Sequence, residues 1–178
     1  MSDEPPDFLP NPDFISTGLL DHPIEDRHFF QGDLLQHWRP RAMGSEAIFQ
    51  SGQWYFTGRT AALQRLVAWL NSPFGDGKGI IVTGDPGCGK SALLGYLAVA
   101  SDQEQTKQPA IGKFLASMPP DTRPAPGSIT FALALRGKTL LDVKNALAAR
   151  FDTKPEEALT ALASLDELTV LMFDALDE

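Results

Sequence analysis

Gly84-Asp85-Pro86-Gly87-Cys88-Gly89-Lys90-Ser91 is the stretch on which the reading of this chain turns. It has the form Gly-x4-Gly-Lys-Ser. Before it stands Ile80-Ile81-Val82-Thr83, a short apolar, β-branched run that predicts a buried strand. After it comes Ala92–Ala100, apolar on nearly every side, which predicts a buried helix. A strand, a glycine-rich turn and a helix in that order make an anion cradle. Phosphate oxygens need several donors converging on a small volume. Glycines let backbone N–H groups turn inward without a Cβ clash, and the helix adds its first N–H groups and the positive end of its dipole. Gly84, Asp85, Pro86, Gly87, Cys88, Gly89, Lys90, Ser91 and Ala92 are therefore the expected nucleotide-binding residues. Lys90 reaches the β- and γ-phosphates as a catalytic residue, and Ser91 offers a hydroxyl to magnesium.

Magnesium and an attacking water need carboxylates facing that loop. They are expected at Phe173-Asp174-Ala175-Leu176-Asp177-Glu178, where the apolar run Thr169–Phe173 passes into acids. In a parallel sheet the C-terminal end of that strand lies on the same edge as the loop. Asp174 is the expected metal ligand beside Ser91, and Asp177 or Glu178 the group that polarises the water.

Between these two stretches, Ser128–Leu135 alternates Ile129, Phe131, Leu133 and Leu135 with small residues, a strand pattern. Thr139 is placed to cap a helix carrying Leu140, Val143, Leu147 and Phe151 on one face. A shorter helix is expected after it, with Pro155, Glu156 and Glu157 in its first turn. Residues 101–127 are polar and proline-rich and read as a surface excursion, with Ile111–Leu115 pairing as an edge strand. Upstream of the loop, Leu63, Leu66, Val67 and Leu70 recur at helical spacing behind Thr60 as the cap. The order strand, helix, strand, helices, strand specifies an α/β fold with a parallel sheet. Residues 53–178 are its core, and residues 1–52 a partly disordered lead-in with one short helix near Asp33–Trp38. His22, His28 and His37 are spaced too irregularly for a metal site.

Composition sets the outer limits. The 178 residues carry a net charge of −8, with no Lys/Arg cluster, so a nucleic-acid partner is not expected. No apolar run reaches the roughly 20 residues needed to span a bilayer, and the start of the chain has no secretory core segment. One cysteine allows no internal disulfide and fits a reducing compartment, so the expected location is the cytoplasm. Cys88 itself is read as a small residue that fits the loop, with a reactive thiol at a helix N-terminus as the other reading. Arg136 and Lys138, after the second strand, face either the nucleotide or solvent.

Three segments together carry a resemblance: Tyr55-Phe56-Thr57-Gly58-Arg59, Gly84–Ser91 and Val170–Glu178. They resemble the STAND branch of P-loop ATPases, close to the NACHT and AAA+ groups, over about residues 37–178. Asp174-Ala175-Leu176-Asp177-Glu178 looks like a NACHT-type Walker B motif, and Gly84–Ser91 a Walker A motif. The resemblance implies that Gly58 and Arg59 lie against the adenine of ATP, with Mg2+ as the metal. Thr60 stands where the family usually has an acidic residue after Gly-Arg. The resemblance also implies a three-layer P-loop fold, here reaching only through the Walker B strand, in a signalling ATPase of bacterial type. Family members continue into a further core strand, a sensor and a lid. In that strand order the further strand lies between the loop strand and the Walker B strand, so residues 1–178 alone are expected to be inactive and to self-associate. The alternatives are a nucleotide switch without hydrolysis and a phosphotransferase of the kinase type.

Overall fold

The computed structural model describes residues 33–44, 54, 56, 58–72, 79–165 and 168–176. In chain order, a π-helical turn at Leu34–Trp38 runs directly into α1 (Arg39–Met43), followed by α2 (Thr60–Leu70), α3 (Lys90–Ser101), α4 (Gln103–Thr106) and α5 (Pro109–Ser117). A 3-10 turn at Pro120–Thr122 leads to β1 (Phe131–Ala134), α6 (Leu140–Arg150), α7 (Ala158–Ala163) and β2 (Leu171–Asp174). The chain is thus of the α/β class, with a parallel two-stranded sheet among the described residues. Phe131 stands opposite Leu171 and Ala134 opposite Asp174. Beyond the ladder, Leu135 N–H donates to Asp174 O at 2.9 Å, which carries the pairing to the strand ends.

Successive strand residues point to opposite faces, and the core divides accordingly. Ala132, Val170 and Met172 join a cluster with Leu63, Leu66 and Val67 of α2 and most of the α3 side chains. Phe131 and Leu133 join a second cluster with Ala146, Leu147, Ala148 and Ala158 from α6 and α7. Both faces are covered, so β1 has no solvent-facing position and all four of its residues are buried. This explains an apolar run rather than a polar–apolar alternation there.

The first cluster extends further than the composition of its segments suggests. Residues 101–127 are mostly helical and contribute to the core, against the expectation of a surface excursion. Ile111–Leu115 lies within α5 rather than in an edge strand. Pro109 sits in the first turn of α5, where its missing N–H costs nothing, and Ile111 beneath it is 1% exposed. Tyr96 of α3 donates its hydroxyl to Thr122 O at 3.0 Å and stacks on Phe56 with centroids 5.0 Å apart. That stack fixes the chain entry to α2.

Other boundaries also shift. α2 has Arg59 rather than Thr60 at its N-cap, in a left-handed conformation with φ 54° and no side-chain capping bond. Pro155, Glu156 and Glu157 precede α7 in a turn. Leu140 is 69% exposed at the start of α6, although it belongs to the expected apolar face. The largest departure is at residues 80–83, which form no ladder; Ile81 is 86% exposed. Apolar β-branched residues supply strand propensity, but a strand needs a hydrogen-bonded neighbour, and the described residues present none to this run.

The start of α6 is built as expected. Thr139 Oγ1 accepts from Asp142 N–H at 3.2 Å, while Asp142 Oδ2 accepts from Thr139 N–H at 2.7 Å. This reciprocal pair is a capping box. Asp142 Oδ2 also accepts from the Thr139 hydroxyl at 2.6 Å, and that bond, with the one from Thr139 N–H, holds the Asp142 carboxyl below its ordinary value of 3.8. Its contribution is therefore present above about pH 4 and is lost as pH falls through the lowered value. Thr139→Ala is expected to cost about 1 kcal/mol at neutral pH, a fall in Tm of roughly 2–4 °C. Thermal melts of the two proteins from pH 7 down to pH 3 check both points: the gap should narrow toward acid.

Candidate functional site

α3 begins at the end of the glycine-rich loop, and the loop's turns explain its composition. Gly87 and Gly89 take φ of 73° and 83°, values that L side chains rarely adopt. Cys88 N–H donates to Asp85 O at 3.1 Å, and Leu93 N–H to Gly89 O at 3.1 Å, which closes the loop onto the first turn of α3. A Cβ on Gly84 would lie 2.8 Å from Cys88 Sγ, so the partly exposed thiol covers the loop's first glycine. Pro86 lies on the exposed side of the loop, and Ala92 in the first turn of α3.

Lys90 folds back into the loop. Its Nζ donates to Gly84 O at 2.8 Å and to Asp85 O at 3.3 Å, which places the ammonium beside the residues predicted to bind phosphate. Ser91 Oγ donates to Asp174 Oδ1 at 3.2 Å, joining the start of α3 to the end of β2 across 83 residues of sequence. Lys90, Ser91 and Asp174 also line a cleft of about 930 Å³ whose walls include residues 79–84 and residues 170–176. Most of its other walls are apolar side chains such as Leu66, Leu94, Leu97 and Met172.

Arg59 reaches the same loop. A Cβ on Gly89 would lie 3.1 Å from Arg59 Nη2, so the guanidinium rests directly over that glycine. Gly58, with φ of 79°, makes the turn that sends it there. Asp177 and Glu178, expected as water-polarising acids, lie outside the described residues, as do Tyr55 and Thr57 of the Gly-Arg element. His22 and His28 lie outside them as well.

One participant has no local signature in the sequence. His37 Nε2 lies 3.0 Å from Asp174 Oδ2, although 137 residues separate the two. An ionised carboxylate can only accept, so Nε2 carries the hydrogen. Burial works to raise the Asp174 carboxyl, but the hydrogen bonds from His37 and Ser91 outweigh it, together with the His37 charge and a bond from Ala175 N–H, and the net shift is downward. Asp174 is therefore held as the anion, the form a metal requires.

The donor set fits magnesium. Among the described residues no group of three or more His, Cys, Asp and Glu side chains gathers as a metal cage. One hydroxyl and one carboxylate beside the glycine-rich loop suit an ion that keeps several waters and takes one or two protein oxygens. Among the described residues no helix is long and apolar enough to cross a membrane. Comparison of the chain with protein-family models, with curated proteins and with solved structures gives no match.

Proposed function

We propose that the chain binds ATP with Mg2+ at residues 84–92 and that the protein hydrolyses it, in the manner of the STAND-type P-loop ATPases it resembles. The observation that carries this reading is the convergence of Lys90, Ser91 and Asp174 on the mouth of the glycine-rich loop. Loop N–H groups and the α3 dipole hold the phosphates, and the Lys90 ammonium leaves its two carbonyls for phosphate oxygens. Ser91 and Asp174 would hold magnesium, which neutralises phosphate charge when bound. Arg59, over Gly89, adds a second cation beside the loop. Asp177 or Glu178 is the proposed acid that orients the attacking water.

In the strand order that the resemblance implies, a further strand lies between residues 80–83 and β2. The run at 80–83, which pairs with no strand among the described residues, and the exposed Ile81 suit that arrangement.

Cys88 supplies the test. Its thiol is partly exposed and lies over Gly84, inside the volume the phosphates would occupy. Iodoacetamide is expected to label Cys88 readily, ATP with Mg2+ is expected to slow that labelling, and the alkylated protein is expected to lose ATP binding. Labelling at the same rate with and without ATP would count against occupancy of this loop.

A further inference from the structure

We infer that His37 is a positioning residue for Asp174, so that the helix preceding the core is part of the magnesium site. The inference rests on the magnesium–nucleotide reading above. Asp174 Oδ1 receives the Ser91 hydroxyl at 3.2 Å, and Oδ2 receives His37 Nε2–H at 3.0 Å. Turning the carboxylate breaks both bonds. With Ser91 engaged on magnesium, His37 is, among the described residues, the remaining side chain that fixes that rotation. Both partners are largely shielded, with side chains 13% and 9% exposed, so water competes poorly for the bond.

His37 is itself held from several directions. Its ring meets Trp38 edge-on with centroids 4.7 Å apart, and Trp38 is 0% exposed. Its carbonyl oxygen accepts from Arg41 Nη1 at 3.2 Å. One helical turn earlier, Asp33 Oδ2 accepts from Ala134 N–H at 3.1 Å, and Asp33 Oδ1 lies 3.8 Å from Lys138 Nζ. Asp33 and His37 therefore grip the C-terminal ends of β1 and β2 respectively. The neighbouring backbone, at Trp38 O and Ala42 N, lies so close to Gly95 of α3 that a Cβ there would sit 2.6 and 3.0 Å away. A segment whose spacing suggests only a lead-in is thus fastened to both strands and to the helix at the end of the loop. Removing a hydrogen-bonding partner of a metal-ligating side chain typically weakens the metal by about 10–100-fold.

A mere clip holding the helix to the sheet makes a different prediction, and two variants of the whole chain separate the cases. His37→Phe keeps a ring against Trp38 but donates nothing, whereas His37→Gln retains a donor. Binding of a ribose-labelled fluorescent ATP is measured in EDTA and across a magnesium series. His37→Phe is expected to raise the magnesium concentration for half-maximal tightening about tenfold or more, with affinity in EDTA unchanged. His37→Gln is expected to recover most of that loss. The inference is overturned if both variants keep the parent's magnesium dependence, or if His37→Phe loses affinity equally in EDTA and in magnesium. A parent chain that binds no nucleotide under either condition sinks the nucleotide reading itself, and the role of His37 with it.

Discussion

ATP with Mg2+ is expected to raise the melting temperature of the parent chain, and Lys90→Ala is expected to abolish that rise. A ligand that binds only the folded state stabilises it by mass action, about 2.7 kcal/mol at a hundredfold excess over Kd. For a chain of this size that corresponds to a rise of roughly 5–10 °C. The Lys90 ammonium has no strong structural partner to lose. Its two bonds go to loop carbonyls in an exposed setting, where water can take the place of the ammonium. The variant should therefore fold, and what it lacks is the cation proposed to meet the phosphates. Differential scanning fluorimetry of both proteins with and without ATP decides the matter: an equal shift in the variant would remove this loop as the site.

Gly95→Ala is expected to destabilise the fold and to release the N-terminal helix. In a free helix, alanine for glycine gains about 1 kcal/mol. Here the added methyl would stand 2.6 Å from Trp38 O, a backbone atom that cannot swing aside as a side-chain tip would. Overpacking of this kind costs about 1–3 kcal/mol, and separating the helices also uncovers Trp38, Ala42 and Tyr96, all buried in the same cluster. Loss should outweigh gain, with Tm lower by roughly 2–8 °C. Trypsin gives a local readout, because it cleaves after Arg41, which is only partly exposed, but not at Arg39-Pro40. Faster cleavage after Arg41 in Gly95→Ala is the expected result. A variant as stable and as resistant as the parent would mean that the contact is not a structural constraint.

Much of this architecture is legible in local pattern, and the parts that are not share a cause. The glycine-rich loop, α2, α3, β1 and β2 each carry their own signal in residue type and period, as does the Thr139–Asp142 cap. α5 is hidden because five prolines between residues 101 and 127 suggest a loop. Pro109 instead starts a helix, and Ile111, Phe114 and Leu115 have the spacing of one buried face. The run at 80–83 misleads in the opposite sense, since propensity is present and a pairing partner among the described residues is not. His37 escapes a local reading because its partner lies 137 residues away, and nothing in the histidine spacing points to it. The available signal is indirect: Asp33, His37 and Arg41 recur every four residues on a helix whose Trp38 and Ala42 need a small residue opposite. Gly95 is that residue.

The most direct test of nucleotide binding at this loop is calorimetric titration of the whole chain with ATP, ADP, AMP and adenosine in the presence of magnesium. If loop N–H groups, Lys90 and the Ser91–Asp174 pair hold a nucleotide by its phosphates, ATP binds one per chain, affinity falls as phosphates are removed, and adenosine gives no measurable heat. Adenosine binding as tightly as ATP, or no binding by any of the four, would contradict it.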